Sequence, residues 1–147
     1  MNRLINISNR TASRVDLKEL ETVCRRFLLS RKLTRAELSV VLVGDSLMRR
    51  LNRQTRRQDK VTDVLSFRDS DAVVKDKNFL GEIVIDYQQI KRQAKLYQTS
   101  VRQELVFILV HGLLHLVGYD DRTAAAARRM ERLGRKFISD LERGRRK

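Results

Sequence analysis

The stretch His111-Gly112-Leu113-Leu114-His115-Leu116-Val117-Gly118-Tyr119-Asp120-Asp121 holds both histidines of the chain and follows them with a glycine and two carboxylates. Four residues are close to one helical turn, so in a helix both imidazoles share a face. The flanks predict that helix. Ser100 with Gln103 offers a capping box, Leu105 to Val117 is the most apolar run in the chain, and Gly118 is a natural terminator. The run falls well short of the ~20 residues needed to span a bilayer, so it reads as a buried helix. Two histidines and a carboxylate form a catalytic zinc set, with the fourth position left to water. The alternative is two half-buried histidines bonded to backbone or carboxylates, with Asp120 or Asp121 capping the helix that follows. HExxH metalloproteases place their glutamate base directly after the first histidine, where this chain has Gly112. A peptidase is therefore disfavoured, and Gly112 reads as a close-packing position.

Working outward, Arg3 to Ser8 alternates as a short strand. Asp16 to Ser30 reads as a helix with Leu17, Leu20, Cys24, Phe27 and Leu28 on one side and Asp16 with Glu19 as a capping box. Glu37 to Val43 is an apolar, β-branched run of the kind found in interior strands, and Gly44-Asp45 opens a helix to about Gln54. Asp63 to Phe67 and Glu82 to Ile85 read as strands separated by the polar segment Asp69 to Asn78. Asp86 is placed to cap a helix running to about Tyr97. Met130, Leu133, Phe137 and Leu141 define one face of a last helix, beyond which Arg143 to Lys147 forms a basic tail. The order β-α-β-α-β-β-α-α-α predicts an α+β fold: one domain over residues 1–147, a small mixed four-stranded sheet covered by helices, with the metal site on the HxxxH helix.

The 147 residues include 32 Lys+Arg against 18 Asp+Glu, a formal charge of +14, with 41% hydrophobic residues. That balance argues against disorder and for a packed core under a basic surface, the footprint of a polyanion-binding protein. The single cysteine, Cys24, rules out an internal disulfide and reads as core. The first residues carry no apolar run with a cleavage site, so a cytoplasmic protein without membrane association is expected. The basic residues are uneven. Arg49 to Lys60 holds six against one acid, and Arg122 to Lys147 ten against three. Stripes of this kind bind through phosphates, with salt-sensitive affinity and little sequence selectivity.

HGLLHLVGYDD resembles the HGxLHLxGYDH signature of the YbeY-type endoribonucleases, metal-dependent proteins of bacterial ribosomal RNA maturation. TDVLSF (residues 62–67) matches a strand of that family, LGEIVI (80–85) is similar to its LGDIxI strand, and LNRQTRRQDKVT (51–62) is similar to its LNxxYRxxDxPT segment. The likeness runs from about Leu38 to Leu133. It implies a metal-dependent, single-strand-specific endoribonuclease acting in 16S ribosomal RNA 3′-end processing and ribosome quality control. The partners it implies are ribosomal RNA, the small ribosomal subunit and its assembly factors, with no DNA. It implies one divalent ion per chain, zinc first, on His111, His115 and Asp121, with His111 and Arg56 as the residues of catalysis. The family's third metal histidine falls at Asp121, its motif tyrosine at Thr55 and its proline at Val61. An aspartate ligand cancels one charge on the ion and favours a harder metal such as manganese.

Arg56 suits phosphate because a guanidinium grips two oxygens at once, although Arg49, Arg50, Arg53 and Arg57 lie beside it. Arg49, Arg53, Arg57 and Lys60 are the expected RNA-binding set. Asp63, Ser66 and Glu82 could orient ligands or water, or serve the strands themselves. Tyr119 could stack on an unpaired base or simply pack. The competing expectation is a non-catalytic ribosome or RNA-binding factor that lost full metal binding when the third histidine became Asp121.

Overall fold

The computed structural model describes residues 4–68 and 78–145. Along them run β1 (Ile5–Asn9), α1 (Leu17–Ser30), β2 (Glu37–Val43), α2 (Asp45–Arg56), β3 (Val64–Arg68), β4 (Phe79–Asp86), α3 (Tyr87–Leu96), α4 (Val101–Leu116) and α5 (Ala124–Arg145). This is the expected element order. The strands form one mixed sheet in the order β1-β2-β4-β3, with β1, β2 and β4 parallel and β3 antiparallel to β4.

Local chemistry sets the helix starts. Asp16 accepts from the Glu19 N–H, Asp86 accepts from Gln88 and Gln89, and Ser100 with Gln103 forms a complete capping box. Each cap satisfies N–H groups that the first helical turn leaves without partners. Alternation along the strands sorts their side chains to two faces. Leu38, Val40, Leu42, Ile83 and Ile85 face the larger core beneath α1 and α4, joined by Met130 and Phe137 of α5. Val41, Val43, Val84, Leu65 and Phe67 face α2, which presents Met48, Leu47 and Leu51. Phe27, almost fully buried, meets Phe137 edge-to-face at 5.3 Å between centroids. Burying such a ring contributes about 1.5 to 3 kcal/mol.

Cys24 lies wholly inside this core, where burial pushes its thiol up to about 12. Strands β1 and β3 shift by one or two residues from the sequence reading, and three boundaries differ in ways that matter. Strand β4 begins at Phe79 rather than Glu82, because Gly81 still pairs with Arg68 and Leu38. Helix α2 runs on through Arg56, which places that arginine in its last turn. Helix α5 continues through Arg145, so Arg143 and its neighbours are helical rather than an extended tail. The expected polar segment falls almost entirely on residues 69–77, outside the described residues. No helix among the described residues is long and apolar enough to cross a membrane.

Candidate metal centre

Helix α4 is buried along most of its length, its apolar residues packed on the sheet, α1, α3 and α5. Gly112 is what lets it lie so close: a Cβ there would sit 3.1 Å from the Ile83 Cγ2 in the middle of β4. The close-packing reading of Gly112 therefore holds. His111 and His115 occupy the one stripe of α4 left partly open, 26% and 27% exposed at their side chains. Their rings meet edge-on, with centroids 4.8 Å apart.

The turn after α4 brings the third group. Gly118 takes φ +109°, a backbone region that L side chains rarely enter, and donates its N–H to His115 O; Tyr119 N–H reaches back to Leu114 O. These bonds tie off the last carbonyls of the helix and reverse the chain. Asp121 returns with its Oδ2 3.9 Å from His111 Nε2 and 4.0 Å from His115 Nε2. One ligand atom from each of the three residues lies within 4.8 Å of the others. The cap of α5 is supplied instead by Thr123, whose hydroxyl accepts from Ala126 N–H, while Asp120 accepts from Arg122 N–H. Asp121 is thus free of the capping role the sequence allowed it.

The donor chemistry fits a divalent ion. With metal–ligand bonds near 2.0 to 2.1 Å, donors around a tetrahedral ion stand about 3.3 Å apart, so the carboxylate has to close on each ring by about half an ångström and the widest donor pair, within 4.8 Å, by about one and a half. Asp121, 52% exposed in a loop, has the room to do so. Burial holds the His111 ring below its usual pKa, the neighbouring His115 adds to this, and Asp121 and Asp63 oppose it. A lowered pKa keeps the imidazole neutral and its lone pair available near neutral pH.

Arg56 reaches across from α2 to the edge of the sheet, where its Nη2 donates to Ser66 O at 3.0 Å and its guanidinium lies 5.1 Å from the Phe67 ring centre. Strand β3, which it grips, packs directly on α4. The other four basic candidates divide. Arg49 and Arg53 both lean on Asp59, at 2.8 and 3.6 Å, whereas Arg57 and Lys60 have no acidic partner among the described residues. Exposed pairs such as these are weak and leave both arginines available to a polyanion.

Asp63 gives its carbonyl to Asp86 N–H, Glu82 accepts from the Ser39 hydroxyl, and the Ser66 hydroxyl is buried with no hydrogen-bond partner among the described residues. The Tyr119 ring does not stand open as a stacking platform: the guanidinium groups of Arg31 and Arg129 lie 5.2 and 5.4 Å from its centre. Neither arginine was singled out from the sequence, since Arg31 and Tyr119 are 88 residues apart. A second cluster also escaped it. Asp86 is fully buried, its Oδ1 capping α3 and its Oδ2 unpartnered. Burial and the nearby Asp45 push it up to about 7, while Arg92, bidentate on Asp45, holds the latter down to about 2.

Comparison with known proteins finds a family model and several relatives. A family model described as Endoribonuclease YbeY matches residues 6–142. A protein of that name from Myxococcus xanthus is 42% identical over 123 residues, 82% of this chain but only 42% of the relative's length. Another from Thermodesulfovibrio yellowstonii is 42% identical over 71% of this chain and 67% of its own. A third, from Endomicrobium trichonymphae, is 35% identical over 88% of this chain and 86% of its own. Among solved structures, the solution structure of a Thermotoga maritima protein superposes with a TM-score of 0.61, covering 95% of this chain and 93% of that one at 22% identity. That likeness concerns the fold.

Proposed function

The chain belongs to the endoribonuclease YbeY family, and on that premise we propose that it is a metal-dependent endoribonuclease specific for single-stranded RNA. Its place is 16S ribosomal RNA 3′-end maturation and ribosome quality control in the cytoplasm, alongside the small subunit and its assembly factors. The observation that carries the reading is the convergence of His111, His115 and Asp121 within 4.8 Å on a chain of formal charge +14.

These three residues would hold one divalent ion, zinc or a harder ion such as manganese. When bound, it supplies Lewis acidity toward a phosphodiester oxygen and lowers the pKa of a water. The remaining work falls to the chain. The lowered pKa of His111 keeps a neutral donor in place, and α4, clamped on the sheet through Gly112, holds both rings in register. Asp121 would bring the one negative charge of the set, so the site favours a cation over a neutral ligand. Arg56 spends one N–H on Ser66 O and keeps the rest of its fork for phosphate oxygens, already aimed by its contact with Phe67. Arg57 and Lys60, with Arg49 and Arg53 in exchange with Asp59, extend positive charge along the strand that enters.

The test is cleavage of single-stranded RNA by purified protein, which His111→Ala or Arg56→Ala should abolish. Variants that both cleave as fast as the wild type sink the assignment. Tight, salt-sensitive RNA binding without bound metal or cleavage would instead mark the chain as a binding factor that has kept the fold and lost the chemistry.

A further inference from the structure

The arginines that this fold orders tightly are mostly matched to carboxylates: Arg92 to Asp45, Arg102 to Glu19 and Glu142, Arg49 to Asp59. One pair breaks the pattern. Arg31 is the C-terminal cap of α1, its backbone N–H bonded to the last carbonyls of that helix, so its Cα is fixed. Its Nη1 donates to the Tyr119 hydroxyl at 3.2 Å and its guanidinium carbon lies 5.2 Å from the ring centre. Arg129, one turn into α5, brings its guanidinium carbon to 5.4 Å from the same centre. Both approach one ring centre, so the two cations lie within about 11 Å of each other. Neither has an ion-pair partner among the described residues.

At that separation the repulsion between two solvated charges is small, and the contacts with the aromatic ring hold both guanidinium groups where one anion can meet them together. The place in the chain matters: Tyr119 precedes the metal-ligand residue Asp121 by two residues, which puts their Cα atoms within about 8 Å of each other. The same Gly118 turn that returns Asp121 to the histidines therefore fixes the ring that gathers the arginines.

We propose that Arg31 and Arg129, organised on the Tyr119 ring, form a phosphate subsite that holds the RNA strand beside the His111–His115–Asp121 set. This deepens the RNA-cleavage reading and rests on it. Guanidinium forks suit phosphate, and single-strand contacts of this kind act through charge rather than base identity. Tyr119 positions the two arginines and does not take a base.

The test is fluorescence-anisotropy binding of a labelled 12-nucleotide single-stranded RNA across a salt series, in a chelator that strips bound metal and with the RNA checked intact on a gel, so that cleavage does not intervene. Arg31→Gln with Arg129→Gln weakens binding at least tenfold and reduces the slope of log affinity against log salt by about 1.4, from ~0.7 per phosphate contact. Arg10→Gln with Arg14→Gln removes the same charge beyond the end of β1 and changes binding less than twofold. Arg31→Lys with Arg129→Lys keeps the charge and restores most of the slope. Equal losses in the two glutamine pairs would reduce the effect to net charge and overturn the subsite. Unchanged binding in the Arg31/Arg129 pair would overturn it too, while leaving the cleavage reading, which rests on His111 and Arg56, untouched. A lysine pair as weak as the glutamine pair would show that charge does not carry the contact, and the subsite, argued as acting through charge, would fall on that result as well.

Discussion

Gly81→Ala should be among the most damaging single-methyl additions in this protein. A Cβ at that position would sit 2.4 Å from the backbone oxygen of Phe67 and 2.7 Å from Leu116 Cδ2, with φ at +155°. The first neighbour is main chain in the paired strand β3, and the second is a core side chain at the end of α4, so neither yields cheaply. Backbone strain of about 1 to 3 kcal/mol and overpacking of about 1 to 3 kcal/mol then act together, for a loss of about 3 kcal/mol or more. Gly118→Ala isolates the conformational part, since its φ is +109° with nothing within 4 Å of the new methyl. It should cost about 1 to 2 kcal/mol. Urea denaturation followed by circular dichroism measures both, and a loss of about 3 kcal/mol should lower the melting temperature by about 6 to 12 °C at this chain length. The displacement of Phe67 also loosens the Arg56 perch, so the surviving Gly81→Ala protein should cleave RNA more slowly than Gly118→Ala at equal folded fraction. A Gly81→Ala protein no less stable than Gly118→Ala would refute the steric reasoning.

Three further outcomes follow from named groups. Asp86 has a folded pKa raised to about 7, so its protonated form belongs to the native state; its stabilising contribution is full below about pH 4 and is lost as pH rises through 7. Wild type should therefore lose melting temperature between about pH 4 and pH 7, and Asp86→Asn, which can still cap α3, should flatten that decline; an unchanged slope in the variant would contradict this. Arg56→Lys keeps the charge but loses the fork and the flat contact with Phe67, so its cleavage rate should fall at least tenfold with RNA binding little altered; a fully active lysine variant would remove the bidentate role. Thr123→Ala should cost about 1 kcal/mol by uncapping α5, read by urea denaturation, and a neutral result would return the capping role to Asp120 or Asp121.

Much of this was legible in the sequence because the signals are local. Ser100 with Gln103, Asp86 and Asp16 announce helix starts within three residues of themselves, and the apolar, β-branched run Glu37–Val43 marks a strand whatever it pairs with. His111 and His115 are legible for the same reason: helical geometry alone puts them together. What was not legible depends on distant pairing. The start of β4 at Phe79 follows from its register against Leu38 and Arg68, and the order β1-β2-β4-β3 from the packing of two cores on opposite faces. Arg31 meets Tyr119 only because α1 ends beside the turn after α4. The carboxylate of Asp121 was ambiguous because Asp120 and Asp121 could each have capped α5; the structure gives that role to Thr123, which the sequence reading did not single out.

Everything proposed for catalysis depends on His111, His115 and Asp121 holding one metal ion together. Elemental analysis of protein purified without a His tag, wild type beside Asp121→Ala and both checked for native circular dichroism, reads this out without an activity assay. Wild type should carry close to one equivalent of a divalent metal and the variant should lose it; no metal in either protein, or full occupancy in both, would contradict the three-ligand centre.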